Sequence, residues 1–109
     1  MPQQSNPVSV DDILRAVAEP RRREILRLVW DDELSAGEIA SEFDVTFGAV
    51  SQHLKILSDA KLVVVRRAGR RRLYRADQTA LGPLGQQLVA LWRRASSPPS
   101  PPPDSFDRR

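Results

Sequence analysis

Residues 50–75 read VSQHLKILSDAKLVVVRRAGRRRLYR, and the patterns in this stretch are the strongest indication of the fold. Its first part has apolar residues at helical spacing, which predicts a helix over 47–59. The β-branched run at 62–65 then predicts a strand, and 72–76 is predicted to return as a second strand. Residues 68–70 predict the turn between them, in which the glycine supplies the backbone conformation. The pattern is therefore a helix followed by a β-hairpin.

A second short helix is predicted just before the first. Ser35 and Glu38 have the spacing of a capping box, which predicts a helix over 36–43. Thr46 can cap the helix that follows. Two short helices joined by a three-residue turn are typical of a helix-turn-helix.

Further helices are predicted on both sides of this unit. Ser9 can cap a helix over 10–18, and Pro20 suits the first position of the next helix. A last helix is predicted over 79–94, with Pro83 tolerated in or near its first turn. The predicted fold class is mainly α (α+β), a winged helix-turn-helix with a two-stranded wing and an extra helix at each end.

The chain has 109 residues, which allows one domain with one modest core. We expect that domain to occupy residues 9–95. Residues 1–8 are polar with two prolines and are expected to form a flexible arm. Residues 96–109 hold five of the nine prolines and are expected to form a disordered Pro/Ser-rich tail.

The composition excludes several classes of protein. No cysteine is present, which excludes disulfides, thiolate metal sites and cysteine nucleophiles, and His53 is the single histidine. The sequence has no triad pattern and no glycine-rich phosphate loop, so we expect neither an enzyme nor a cofactor. No apolar run approaches a membrane span, and the N-terminal MPQQSNPVSV lacks the pattern of a secretory signal. A cytoplasmic protein without membrane contact is expected.

The formal net charge is only +3, but the basic residues are concentrated. Residues 61–75 contain seven basic residues and no acid, whereas acids gather between Asp31 and Asp44. A basic segment beside a helix-turn-helix favours a polyanionic partner on one face. The smaller triplet at 21–23 is interpreted as a solvated face.

The helix over 47–59 has one apolar and one polar face. At about 100° per residue, Val50, Leu54 and Leu57 fall together and are expected to face the core. The opposite face carries Gly48, Ser51, Gln52, Lys55 and Asp59. Gln can pair bidentately with adenine in the major groove, and Ser and Lys can reach a base or a phosphate. This face is typical of a recognition helix that contacts double-stranded DNA.

Arginines of the hairpin are predicted to hold phosphate. Arg67, Arg70 and Arg71 lie nearest the turn and are the expected contacts of a wing with the DNA backbone or minor groove. A second set either serves the same backbone or is solvated: Arg66, Arg72 and Arg75.

His53 lies on the flank of the predicted recognition helix, between its two faces. It is either a half-buried, hydrogen-bonded histidine or a phosphate contact, and the sequence leaves both open. Metal ligation is less favoured, because a zinc site needs several nitrogen or sulfur ligands.

Three segments together resemble one family. They are AEPRRREIL at 18–26, VSQHLKILSDAKLV at 50–63 and RRAGRRRLYR at 66–75. In this order they closely resemble the ArsR/SmtB family of bacterial transcriptional repressors, and the match covers about residues 11–93. The resemblance implies a winged-helix homodimer that binds an inverted-repeat operator.

The resemblance also implies roles for individual residues. Thr46, Ser51, Gln52, His53 and Lys55 fall in the DNA-reading helix, and Arg67, Arg70 and Arg71 fall in the wing. The first and last helices would be dimerisation helices, and their apolar residues would form the dimer interface: Ile13, Leu14, Val17, Leu84, Leu88, Leu91 and Trp92. Some of these side chains are also expected to complete the core of the protomer.

The chain departs from the family at the metal-sensing positions. Many members sense metal through two cysteines, whereas the matching ELSAGEI at 33–39 has Ser35 and Gly37 there. Others use histidine and acids in the last helix, which here has no histidine and only Asp77 near its start. The resemblance is therefore to the metal-independent branch, and the effector is left unknown.

Two alternatives remain open at this stage. One is a repressor that senses a hard cation through the carboxylates at 31–33, 38 and 42, although solvated helix ends explain those acids better. The other is a winged helix that binds a protein instead of DNA, against which the basic wing argues.

Overall fold

The computed structural model describes residues 9–96. The elements are α1 (Val10–Ala18), α2 (Pro20–Leu28), β1 (Leu34–Ser35), α3 (Ala36–Ser41), α4 (Phe47–Asp59), β2 (Val63–Ala68), β3 (Arg71–Ala76) and α5 (Gln78–Ser96). The predicted mainly helical winged helix-turn-helix is confirmed. The predicted arm at 1–8 lies outside the described residues, as does the predicted tail apart from Ser96, which ends α5.

The helices begin where their capping residues are. The Ser9 hydroxyl accepts from the Asp12 amide at 3.1 Å, and the Thr46 hydroxyl accepts from the Ala49 amide at 3.0 Å. Ser35 and Glu38 form the predicted capping box in both directions. Each of these bonds satisfies an amide that the helix itself leaves without an acceptor.

Helix α3 ends at Ser41, two residues before the predicted end. The amides of Glu42 and Phe43 bond to the carbonyl oxygens of Ile39 and Ala40, three residues back, at 3.0 and 3.1 Å. Such bonds tighten the last turn and end the α-helix.

The sheet has three strands in the order β1-β3-β2, and β1 was not predicted. Leu34 pairs with Tyr74 and Ser35 with Leu73. The hairpin is also tighter than expected, because Ala68 pairs with Arg71 and the loop is only residues 69–70. Gly69 has φ 65°, which the first loop position of a two-residue II′ hairpin requires.

Leu62 belongs to the end of α4 rather than to the predicted strand. Lys61 has φ 64°, and the amides of Leu62 and Lys61 bond to the carbonyls of Leu57 and Ser58 at 2.9 and 3.0 Å. This is the Schellman arrangement, with a left-handed residue just after the helix and an apolar contact beyond it. Leu57 and Leu62 are both fully buried.

Helix α5 is interrupted at Gly82, which has φ 53° and ψ −134°. Pro83 follows it, and proline disfavours helical backbone in the residue before it. The predicted helix over 79–94 is present within α5, but the break at Gly82 was not predicted. A first turn ends at Leu81, and Pro83 begins a second, longer segment.

The second segment of α5 packs against the end of α2. Trp30 and Trp92 make an edge-to-face contact with ring centroids 5.2 Å apart. Gly85 allows this approach, since a Cβ built there would lie 3.1 Å from the Trp30 ring. The remaining core lies between the helices and the base of the sheet, and its largest fully buried side chains are Ile25, Leu26, Ile39, Leu54, Leu57, Leu62, Val29 and Val50.

Candidate nucleic-acid interface

Helix α4 has the two faces that the sequence predicted. Val50, Leu54 and Leu57 are buried, while Gln52 is exposed. Lys55 pairs with Asp59 one turn later at 3.1 Å. Gln52 makes no side-chain hydrogen bond to any described residue, so its amide can both donate to and accept from a base edge.

The N-terminal turn of α4 is open to a partner. Gly48 is exposed, and a Cβ built there would meet only the Thr46 hydroxyl, at 3.9 Å. Thr46 accepts the capping bond from Ala49 and keeps its own hydroxyl proton as a donor. Ser51, one turn on, is half-buried.

Phe47 is a surface residue that no pattern in the sequence indicated. Its side chain is 59% exposed, and it lines a cleft between α4 and the wing together with Ser51, Arg72 and Tyr74. Helical spacing places Phe47 about 20° from Leu54 and about 60° from Val50, so spacing alone predicts a core residue. Phe47 is the first residue of α4, and it stays exposed although Ala36 and Gly37 of α3 line the same cleft.

The wing arginines fall into two groups. Arg66 forms a two-bond ion pair with Glu33, at 2.9 Å from Nε and 2.6 Å from Nη2. Arg71 donates from Nη2 to Glu38 at 2.7 Å. Within residues 9–96, the side chains of the other wing arginines have no hydrogen bond or ion pair: Arg67, Arg70, Arg72 and Arg75. Arg66 is therefore paired with Glu33, although its side chain remains 59% exposed.

Both acidic partners of the wing are held in the ionised form. The hydrogen bond from Arg66 lowers the pKa of Glu33 below its usual range. The backbone amide of Ser35 lowers the pKa of Glu38, and the charge of Arg71 adds to the effect. Two fixed anions thus lie beside the basic hairpin and compete with any incoming phosphate for Arg66 and Arg71.

His53 is the half-buried, hydrogen-bonded histidine of the two alternatives. Its Nδ1 lies 3.4 Å from Nη1 of Arg22. A guanidinium has only donors, so Nδ1 accepts and the ring proton is on Nε2. Burial lowers the pKa of His53, and the charge of Arg22 lowers it further. His53 is therefore neutral near pH 7.

Of the basic triplet at 21–23, only Arg21 lies on the solvated face that the sequence predicted, whereas Arg22 and Arg23 are half-buried. Arg22 donates to the carbonyl oxygens of Ala16 and Arg15 at 2.6 and 3.2 Å. Arg23 donates to those of Val17 and Ala18 at 2.8 and 3.1 Å. Two arginines thus donate to the last four carbonyl oxygens of α1, for which the helix itself supplies no amide donor.

Apolar side chains remain exposed on the two terminal helices. Leu14 on α1 is 49% exposed and Leu91 on α5 is 48% exposed, and Val10 is exposed as well. Ile13, Leu84 and Trp92 are half-buried. Of the predicted interface residues, Val17 and Leu88 are buried within the protomer.

Among the described residues, no group of three His, Cys, Asp or Glu side chains lies close enough to hold a metal ion. The same part of the chain has no helix that is both long and apolar enough to cross a membrane. Glu33 and Glu38, two of the acids considered as carboxylate ligands, are engaged with arginines.

Comparison with known proteins identifies the family. The sequence pattern of the bacterial regulatory protein arsR family matches residues 19–64, from α2 into β2. The HTH-type transcriptional regulator Rv2034 of Mycobacterium tuberculosis (strain ATCC 25618 / H37Rv) is 42% identical over 87 residues, which are 80% of this chain and 81% of that protein. The chain belongs to the ArsR family. As predicted, it is a DNA-binding transcriptional regulator and not an enzyme.

Two further relatives of this ArsR-family regulator are informative. The transcriptional repressor SdpR of Bacillus subtilis (strain 168) is 32% identical over 66% of this chain and 80% of its own. The solution structure of Mb0332 from Mycobacterium bovis, described as a homodimeric winged helix-turn-helix DNA-binding domain, has a TM-score of 0.66 and 25% identity. That likeness covers 89% of this chain and 94% of the other.

Proposed function

We propose that this ArsR-family protein is a homodimeric repressor, which binds an inverted-repeat operator in the cytoplasm and has no metal sensor site. The observation that carries the proposal is the exposed, unpartnered Gln52 on α4, next to a wing with free arginines at 67 and 70. A base-reading amide and a phosphate-holding hairpin on one surface are the two parts that sequence-specific binding needs.

Helix α4 would read the major groove. Gln52 offers a donor and an acceptor, the pair that recognises adenine. Gly48 leaves space for a close approach to the backbone, and the Thr46 hydroxyl and Ser51 can donate to bases or phosphates. His53 is held by Arg22, so it would position the helix rather than contact phosphate.

The wing would bind phosphate and add affinity without sequence preference. Arg67 and Arg70 have no described partner to give up on binding. Arg71 must first leave Glu38, so its net contribution is smaller. Lys55 is likewise shared with Asp59. The affinity should therefore depend on salt chiefly through the wing arginines that have no ion-pair partner among the described residues.

The proposed dimer contact is the exposed apolar surface of α1 and α5. Val10, Leu14 and Leu91 are large apolar residues whose exposure has no role in the protomer. A two-fold contact would cover them, with half-buried Ile13, Leu84 and Trp92 at its margin and Val17 and Leu88 supporting it from the core. The homodimeric state of Mb0332 supports a dimer.

The proposal that no metal sensor operates rests on what the sensing positions do instead. Ser35 caps α3, and Glu38 accepts from both the Ser35 amide and Arg71. Glu33 is held by Arg66. A cation at these carboxylates would have to displace two arginines and a helix cap. The proposed repressor is therefore released from DNA by a signal other than a metal ion.

Fluorescence anisotropy on DNA from upstream of the protein's own gene tests the proposal. Scrambled DNA, a salt series and added zinc are the controls, and sedimentation gives the oligomeric state. Fragment-selective, salt-sensitive binding by a dimer, unchanged by zinc, is expected. If the protein does not bind this fragment selectively, a random-site selection supplies the cognate DNA. Equal weak binding to all sequences, or release by zinc, would contradict the proposal.

A further inference from the structure

We infer that Arg22 is a positioning residue for DNA recognition: its guanidinium joins the C-terminal end of α1 to His53 and so fixes the orientation of α4. The inference rests on the proposed function, in which α4 reads the DNA. It assigns to Arg22, which lies outside the helix-turn-helix, a role in sequence selectivity.

The guanidinium of Arg22 contacts two elements with all three of its nitrogens. Nε and Nη2 donate to the carbonyl oxygens of Ala16 and Arg15 at the end of α1, at 2.6 and 3.2 Å. Nη1 donates to Nδ1 of His53 on α4, at 3.4 Å. The planar fork of arginine makes such contacts in fixed directions, which a lysine ammonium cannot reproduce.

The place of His53 on α4 makes this contact important for DNA reading. The buried stripe of Val50, Leu54 and Leu57 holds α4 against the core, but a stripe of apolar contacts is non-directional. His53 lies on the flank, next to Gln52, and a directional bond there limits rotation about the helix axis. Recognition geometry tolerates only about 10–20° of misorientation.

Arg22 also links the recognition helix to the proposed dimer contact. Helix α1 carries the exposed Val10 and Leu14, and its last carbonyls are the acceptors for Arg22. Arg22 thus connects α4 to α1, the helix that would contact the second protomer. The relative orientation of the two recognition helices in a dimer would therefore depend on it.

The charges around His53 keep this junction intact near neutral pH. Arg22 and Arg21 oppose protonation of the ring, and Glu19 favours it. Protonation would convert Nδ1 into a donor facing the Arg22 guanidinium and break the bond. Since burial and Arg22 both lower the pKa of His53, loss of Arg22 should raise it.

Arg23 provides a matched control. It also caps α1, with bonds to the Val17 and Ala18 carbonyls at 2.8 and 3.1 Å, but it makes no hydrogen bond to the described residues of α4. Arg22→Gln and Arg23→Gln each remove one positive charge and a similar pair of capping bonds. Arg22→Lys keeps the charge but removes the planar guanidinium, so it tests whether that geometry is needed. Folding stability is measured first for each, so that losses of stability and of DNA selectivity are separated.

Binding is measured on the selected cognate site and on random DNA. For Arg22→Gln we expect about a tenfold loss on the cognate site, because Gln52 is misplaced, and little change on random DNA beyond that of Arg23→Gln. Arg22→Lys should also bind the cognate site more weakly than the wild type does. Arg23→Gln should keep its selectivity. In a double-mutant cycle, Gln52→Ala should cost much less in the Arg22→Gln background than in the wild type.

NMR titration of His53, the only histidine in the chain, gives a readout that does not depend on DNA. Its pKa should rise in Arg22→Gln and remain unchanged in Arg23→Gln. Equal loss of selectivity in the two variants, an additive cycle with Gln52, or an unchanged titration would overturn the inference. A wild-type protein that does not select DNA would instead overturn the proposed function, while the titration still reports whether the junction exists.

Discussion

Arg71 in the wing donates from Nη2 to Oε1 of Glu38 at 2.7 Å, and the same carboxylate oxygen accepts the Ser35 amide at 2.8 Å. One oxygen atom thus closes the cap of α3 and holds an arginine of the hairpin. Arg70, beside Arg71 in the chain, has no such partner among the described residues. The basic residues of the wing are therefore unequal in what they can offer to DNA.

Arg70→Ala and Arg71→Ala should differ in their effect on DNA affinity. Removing Arg70 should weaken binding to all sequences and lower the slope of log K against log salt by about 0.9. Removing Arg71 should lower the slope less, because its charge is shared with Glu38. Anisotropy titrations over a salt series measure both slopes. A change in sequence preference with unaltered random binding would show that the wing reads bases.

Glu38→Gln should strengthen DNA binding. The side-chain amide oxygen can still accept from the Ser35 amide, so the cap remains, while the fixed anion beside Arg71 is removed. Affinity for random DNA should rise and the salt slope should steepen. Glu24→Gln, which frees Arg27 on α2 instead, is the control and should leave binding unchanged. Weaker binding by Glu38→Gln would mean that the ion pair orients the wing for DNA.

Gln52→Ala should reduce selectivity rather than general affinity. We expect a loss of about 1–3 kcal/mol on the cognate site and little change on random DNA, because only base contacts are removed. Gln87→Ala, an exposed glutamine on α5, is the matched control. Competition binding with cognate and random DNA measures both. Equal losses on the two DNAs would assign Gln52 to the backbone instead.

Lys61→Gly should stabilise the protein by about 0.5–1 kcal/mol. Lys61 has φ 64°, a left-handed conformation that glycine adopts without the strain of a Cβ. Its side chain is exposed, so little packing is lost. Urea denaturation gives the free energy of unfolding. Lys61→Ala is the control, because it removes the charge but keeps the Cβ, and it should leave that free energy nearly unchanged.

His53 should make folding stability depend on pH. Its pKa is lowered from the ordinary 6.5 in the folded protein, so below that pH the unfolded chain binds more protons. The free energy of unfolding should therefore be greatest above pH 6.5 and fall as the pH drops towards the folded pKa. His53→Gln should lack this decrease. The pKa values of Glu33 and Glu38 are lowered from 4.5. The stability that these two carboxylates contribute is therefore lost only at lower pH, once the pH falls below 4.5.

Local signals in the sequence predicted most of the fold. The caps at Ser9, Ser35 and Thr46 depend on residues three positions apart, so the sequence shows both partners together. Strand β1 was not predicted, because two residues are too few to show the alternation of apolar and polar residues that indicates a strand. Leu34 belongs to a strand only because it pairs with Tyr74. The break at Gly82 was missed because the apolar face of α5 continues past it.

The candidate site was predicted in its composition but not in its contacts. The exposure of Gln52 and the burial of Leu54 follow from helical spacing, and both are confirmed. The pairing of Arg71 with Glu38 depends on how the wing lies over α3, which no local pattern contains. The capping role of Arg22 likewise depends on the angle between α1 and α2.

The pairing of Ser35 with Leu73 attaches β3 to β1, and this pair forms the root of the wing. Ser35 is also the N-cap of α3, so a fluctuation that detaches β3 there must also disturb the first turn of that helix. Amide hydrogen exchange should therefore report one shared opening event for the root of the wing and the start of α3. Faster exchange should be confined to the tip around Gly69, which lets the arginines adapt to a phosphate backbone while the recognition helix keeps its place.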